Sequence, residues 1–129
     1  MCSEKAVTTS SPGLYDITDT VGDIVAKSGI AEGVCVVFSK SATAGVVVTA
    51  DAKAHEDILD DLERIFPPRT NYTASVEPKM AAANSAAAIS GRPMDFIIHD
   101  SEIVLGKSQG IFVLDTVGGR IIDYGVKCI

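Results

Sequence analysis

The side chains in this sequence best suited to chemistry are cationic and hydrogen-bonding, not groups that titrate near neutrality. Lys40, Ser41 and Thr43 share one short polar stretch at residues 39–43, and Lys107 and Gln109 share a second at residues 106–110. Ammonium groups beside hydroxyl and amide donors are suited to receiving an anionic group such as phosphate. Arg120, just after Gly118-Gly119, can join them or pair with an acidic neighbour. No Gly-rich phosphate loop accompanies them, since Gly118-Gly119 reads as a hairpin turn and not as the opening of a helix. His55 precedes an acidic helix face and reads as solvated or capping. His99 ends an apolar run beside Asp100 and reads as a turn hydrogen bond. The cysteines at 2, 35 and 128 are an odd set without metal-ligand spacing, so no metal site is expected. Cys35 lies in an apolar run and reads as a buried thiol. The sequence leaves a disulfide open, with a reduced compartment the simpler reading.

These residues need a scaffold, and the hydrophobic pattern supplies one. Val34–Phe38 and Val46–Thr49 are short β-branched runs that read as strands buried on both faces, holding the hydroxyl-rich loop between them. Residues 4–10 read as an opening strand that ends at a Ser-Ser-Pro-Gly turn. Ile17, Val21, Ile24 and Val25 recur at i, i+4, i+7 and i+8, one face of a helix that Asp16 or Thr18 can cap and Gly29 can close. A second helix is expected over 52–66, with Asp51 as its N-cap, Ile58, Leu62, Ile65 and Phe66 as its buried stripe, and Pro67-Pro68 as its stop. Asp57, Asp60, Asp61 and Glu63 form its wet face. The alanine-rich run 79–90 should be helical by propensity, with small side chains that permit close approach of a neighbour. Residues 94–99 and 102–105 read as a hairpin, and 111–115 and 120–127 as the last two strands of a meander. Strands gathered after the helices, not alternating with them, point to an α+β fold with mostly antiparallel pairing.

Composition limits the function classes. The chain has 129 residues, enough for one domain with a real core, and 47% hydrophobic and 22% charged content. A net charge of −6 with no Lys/Arg cluster argues against nucleic acid as a partner. No apolar run approaches the roughly 20 residues that cross a bilayer. The N-terminal MCSEKAVTTSS has no apolar h-region, so the expectation is a cytoplasmic protein without a membrane role.

Four phrases, in order along the chain, carry a family resemblance. They are Asp16-Ile17-Thr18 with Val21 and residues 28–34 (SGIAEGV); Val37-Phe38 before Thr43-Ala44-Gly45-Val46; Leu62-Glu63-Arg64-Ile65-Phe66-Pro67; and Leu105-Gly106 with Gln109-Gly110-Ile111-Phe112, Asp115, Gly118, Gly119 and Arg120. Together they resemble the YjbQ-like, or secondary thiamine-phosphate synthase, family over nearly the whole chain. The resemblance implies a single α+β sandwich domain over 1–129 that assembles as a homotrimer with pockets near subunit boundaries. It also implies three histidines, none of which is present. The positions where the family carries them fall on Ser41 (or Lys40), Ala74 and Asn84, and the carboxylate that follows the first falls near Thr49 and Ala50. The Trp-Gln phrase keeps only Gln109, while the acidic residue and arginine of the last turn survive as Asp115 and Arg120.

The expected function is therefore that of a divergent relative whose histidine chemistry is lost. It would bind a small anionic or phosphorylated metabolite through some of Lys40, Ser41, Thr43, Asn84, Lys107, Gln109, Asp115 and Arg120. Catalytic residues are not identifiable and no cofactor is expected. Two alternatives stand beside this. One is a weak thiamine-phosphate synthase, for which Mg²⁺ would fall to Asp51 and Asp115. The other is a structural trimer without catalysis.

Overall fold

The computed structural model describes residues 2–50, 52–74 and 76–129. Strands β1 (Cys2–Thr9) and β2 (Gly13–Asp16) lead into helix α1 (Thr18–Ser28), followed by β3 (Gly33–Ser39) and β4 (Ala44–Thr49). A 3₁₀ turn at Ala52–Ala54 opens α2 (His55–Ile65), and α3 (Pro78–Ser90) follows. The chain ends in β5 (Met94–His99), β6 (Glu102–Ile103), β7 (Gly110–Asp115) and β8 (Arg120–Cys128). All pairings are antiparallel and make two sheets, β1-β8-β3-β5-β6 and β2-β7-β4. The fold is the expected α+β sandwich.

Alternation along the strands divides their side chains between faces. Cys35 and Val37 of β3, Phe96 and Ile98 of β5, and Ile122, Tyr124 and Val126 of β8 point inward. They meet Val46 of β4, Ile111 and Val113 of β7, and Ile17, Val21 and Val25 from α1 and its approach. Strand β7 is buried on both faces, because Phe112 and Leu114 turn away from this core toward the helix layer. The opposite, outer face of the five-stranded sheet carries Val34, Val36, Phe38, Ile97 and Ile121, with Phe38 lying over Gly125. Ile97 and Ile121 are 59% and 67% exposed there, and no helix among the described residues packs on this face.

Local chemistry accounts for the element ends. The Asp16 carboxylate accepts the Thr18 N–H (2.9 Å) at the start of α1, and Gly29 (φ 75°) closes it. Thr18 does not cap, because its hydroxyl accepts the Ile111 N–H of β7 (2.9 Å) instead. Helix α2 stops before Pro67-Pro68, with the Phe66 N–H on the Leu62 carbonyl (2.7 Å). Its capping residue, expected at Asp51, lies outside the described residues. Its stripe is narrower than expected: Leu62 is buried, Ile58 and Phe66 are half-buried, and Ile65 is exposed. Helix α3 buries Ala81, Ala82, Ala83, Ala86 and Ala87. The tightest approach follows it, where a Cβ on Gly45 of β4 would sit 2.5 Å from Gly91 Cα. Asp100 and Ser101 (φ 51° and 66°) form the tight turn of the β5–β6 hairpin.

Two expectations about the strands need correction. Strands β7 and β8, expected as the last two strands of a meander, lie in different sheets, as β3 and β4 also do. Gly118 and Gly119 (φ 84° and 70°) therefore turn the chain from one sheet to the other and do not close a hairpin. There is consequently no closing meander. Nor are β3 and β4 buried throughout: the outward residues of β3 and the second half of β4 are only half-buried.

Candidate functional site

The chain crosses between the sheets three times at one end: β1 to β2, β3 to β4, and β7 to β8. Asp115, the last residue of β7, is fully buried there; its carboxylate binds the first and third crossings and reaches the second through Arg120. Its Oδ1 accepts from the Val117 N–H (2.9 Å) and from Arg120 Nε and Nη2 (3.2 and 2.7 Å). Its Oδ2 accepts from the Thr9 hydroxyl (2.7 Å) and the Gly118 N–H (3.0 Å). Arg120 continues the network, donating from Nη1 to Thr43 Oγ1 (2.5 Å) and from Nη2 to the Thr43 carbonyl (2.9 Å). Burial alone would raise the Asp115 pKa, but the Arg120 guanidinium, the Val117 N–H and the Thr9 hydroxyl outweigh it and hold the carboxyl below the usual range.

This junction engages two of the expected ligand-binding residues, Asp115 and Arg120, and half of a third, Thr43. With five donors on its carboxylate, Asp115 does not fit a Mg²⁺ ligand. The other proposed ligand, Asp51, lies outside the described residues. The neighbouring loop hydroxyls serve their own backbone. Ser39 Oγ donates to the Ala44 carbonyl (2.8 Å) and accepts the Ser41 N–H (3.1 Å), while Ser41 Oγ accepts the Thr43 N–H (3.2 Å). Lys40 points to the surface and pairs with Glu4 of β1 (2.7 Å), which lowers the Glu4 pKa and raises that of Lys40.

The remaining candidates lie elsewhere. Gln109 and Lys107 precede β7, whose six residues separate them from Asp115 by about 17 Å. Gln109 Oε1 accepts the Gly106 N–H (2.8 Å) and closes its own loop, and Lys107 is exposed. Asn84 faces solvent on α3. The eight residues do not converge on one pocket. The histidines also differ from expectation. The His55 ring is half-buried and edge-on to Phe112 (4.6 Å between centroids), with Nε2 buried and without a hydrogen-bond partner among the described residues. His99 bonds mainly to Glu32 (Nδ1 to Oε1, 2.8 Å) and more loosely to Asp100 (3.4 Å), forming an exposed surface cluster.

A cleft that sequence reasoning did not single out lies beside the junction, between α2 and α3. It has a volume of about 320 Å³, with Leu59, Leu62 and Phe66 on one wall and Ala82 and Ala86 on the other. Thr116, from the junction's last crossing, lines it, and Glu63 and Lys79 stand at its rim. Such a volume and apolar lining are typical of sites for small molecules. Its signal was present in the sequence. A stripe of large residues at helical spacing (59, 62, 66) faces a stripe of alanines (82, 86), and the missing bulk leaves the space.

Comparison with known proteins agrees with this architecture. Residues 3–127 match the model of the family described as UPF0047 protein YjbQ-like. The UPF0047 protein MJ1081 of Methanocaldococcus jannaschii is 30% identical over 118 residues, covering 90% of this chain and 84% of its own. A YbjQ-like protein of unknown function from Sulfolobus solfataricus superposes with a TM-score of 0.92 at 28% identity, over 99% of this chain and 95% of that one. An uncharacterized conserved protein of the yjbq/upf0047 family from Clostridium acetobutylicum gives 0.91 at 32% identity, over 98% and 99%. With the family pattern spanning almost every element and the sandwich reproduced from end to end, this chain belongs to the YjbQ-like UPF0047 family.

Proposed function

We propose that the protein binds a small anionic metabolite, with an apolar body and a phosphate or carboxylate, in the α2–α3 cleft of a homo-oligomer. The observation that carries this is the cleft itself: apolar walls of Leu59, Leu62, Phe66, Ala82 and Ala86, with Lys79 at the rim in the first turn of α3. An anion at that rim would meet the ammonium group and the positive end of the helix together. Among the described residues that line the cleft there is no imidazole and no thiol, and its walls are mainly apolar, which favours binding as its role. Its surroundings suit a subunit boundary. Ile65 on α2, Val76 before α3 and Ile89 on α3 are 63%, 56% and 70% exposed, more apolar surface than a solvated helix pair needs. The trimer that the family resemblance implies would cover such surface.

Phenyl phosphate, a compact ring carrying an anion, is a direct probe. At about 1 mM and a dissociation constant near 100 µM it would stabilise the protein by about 1.4 kcal/mol, a rise in melting temperature of roughly 4–6 °C. Phenol and inorganic phosphate should each give less. Ala86→Phe, which fills the cleft, should abolish the shift, and Lys79→Ala should erase the advantage of phenyl phosphate over phenol. No shift with any of the three compounds, or an equal shift in Ala86→Phe, would refute the proposal.

A further inference from the structure

Cys35 and Cys128 serve neither the junction nor the cleft, yet they stand directly opposite each other on β3 and β8. Their neighbours define the kind of opposition. Val34 and Ile129 exchange both backbone hydrogen bonds (2.9 and 2.8 Å), and further along the ladder the Lys40 N–H donates to the Asp123 carbonyl (2.8 Å). Opposed pairs alternate along an antiparallel ladder, so Cys35 and Cys128 form a non-hydrogen-bonded pair, the type with Cα atoms about 4.5 Å apart and side chains closest. That separation falls within the roughly 4.4–6.8 Å that a disulfide spans.

Both side chains point to the inner face. Cys35 is fully buried, and Cys128 is half-buried against the same core. The two residues are direct partners across the ladder. Burial, and then the neighbouring Cys128 sulfur, push the Cys35 thiol up to about 12. Cys128 also lines an open groove of about 890 Å³ between α1 and the β1–β8 edge, walled by Ile24, Lys27, Ile30 and Val126. Gly33 lets the strand end seat, since a Cβ there would lie 2.2 Å from the Ile129 carbonyl oxygen.

We propose that Cys35 and Cys128 form a reversible cross-strand dithiol–disulfide pair, oxidised by hydroperoxides entering at Cys128 and resolved by Cys35. In the first step the Cys128 sulfur attacks the peroxide. An S–O bond forms, the O–O bond breaks, sulfur gives up two electrons, and the alkoxide or hydroxide leaves as alcohol or water with the thiol proton. In the second step the Cys35 sulfur attacks the Cys128 sulfenic acid. An S–S bond forms, the S–O bond breaks, and the departing hydroxide takes the Cys35 proton and leaves as water. A dithiol reductant reverses the pair by exchange at the accessible Cys128 sulfur.

The test treats the full-length protein with hydrogen peroxide and maps its linkages by non-reducing digestion and mass spectrometry. The expected result is a Cys35–Cys128 peptide pair, the loss of two titratable thiols, a higher melting temperature, and full reversal by dithiothreitol. Gly33→Ala, which lifts the strand end away while keeping both thiols, should slow formation of the link about tenfold or more, because the pair then departs from disulfide geometry. The proposal is overturned if Cys35 and Cys128 both stay unmodified when Cys2 is fully oxidised. It is equally overturned if Cys128 links to Cys2 or to another copy of the chain, or if Gly33→Ala oxidises as fast as the native protein.

Discussion

Replacing Asp115 by Asn changes one buried group with almost no change in shape, and its cost follows from the contacts. The amide oxygen can take the place of Oδ1 and still face the Val117 N–H and Arg120, but without charge. Arg120 thus loses its carboxylate while its side chain is only 22% exposed. A fully buried broken pair costs about 3–5 kcal/mol, and the partial exposure of Arg120 brings that to about 2–3. The amide nitrogen, in the place of Oδ2, meets the Gly118 N–H, a donor against a donor, for about another 1 kcal/mol. The total is about 3–4 kcal/mol. With a urea slope near 2 kcal/mol per molar, the midpoint should fall by roughly 1.5–2 M. Far-UV circular dichroism at fixed protomer concentration measures this, and the fixed concentration keeps any assembly term constant. The pH dependence gives a second check. The Asp115 pKa is depressed on folding, so its contribution is complete above the unfolded value of about 3.8 and is lost as pH falls through the lower folded value. Native protein and variant should therefore converge in the acid limb. A midpoint shift below about 0.5 M at pH 7, or a gap that persists unchanged in acid, would refute the assigned role.

Other perturbations probe other layers. Gly45→Ala places a methyl group against Gly91 backbone, which cannot yield as a side chain would, and should cost about 1–3 kcal/mol in urea unfolding. His55→Leu removes an Nε2 that has no hydrogen-bond partner among the described residues while keeping contact with Phe112, and should leave stability unchanged or raise it by up to about 1 kcal/mol; a loss of stability would mean that the ring has a partner in solution. Ile121→Glu puts a charge on the exposed apolar face of the five-stranded sheet and should reduce the assembled mass by light scattering if other copies cover that face; an unchanged mass would place the assembly surface elsewhere.

Element types were legible because their signals are local. Gly29 at a left-handed C-terminus, Pro67-Pro68 after α2, the alanine run of α3 and the Asp100-Ser101 turn all act within a few residues of themselves. Sheet membership was not legible. Nothing within residues 39–44 or 115–120 distinguishes a turn between partners from a crossing between sheets, since the distinction depends on Thr9, more than a hundred residues from Asp115. Grouping Lys107 and Gln109 with Arg120 failed for a simpler reason: an intervening strand of six residues already sets the two ends far apart. The family phrases located Asp115 and Arg120 correctly within the last turn, but a phrase does not say which lone pairs its carboxylate has left.

The order of strands in the five-stranded sheet also bears on how the chain reaches its folded state. Strand β1 pairs with β8 and with no other strand, and β8 in turn joins β1 to β3. During synthesis β1 therefore emerges with no partner and stays a bare edge until β8 arrives, more than a hundred residues later. The three-stranded sheet waits almost as long, since β2 pairs only with β7, Leu14 opposite Leu114. Pairings of such long sequence separation make folding slow. Closing the sandwich is thus a late event, and any truncation that removes β8 leaves β1 unpaired and open to pairing with other chains.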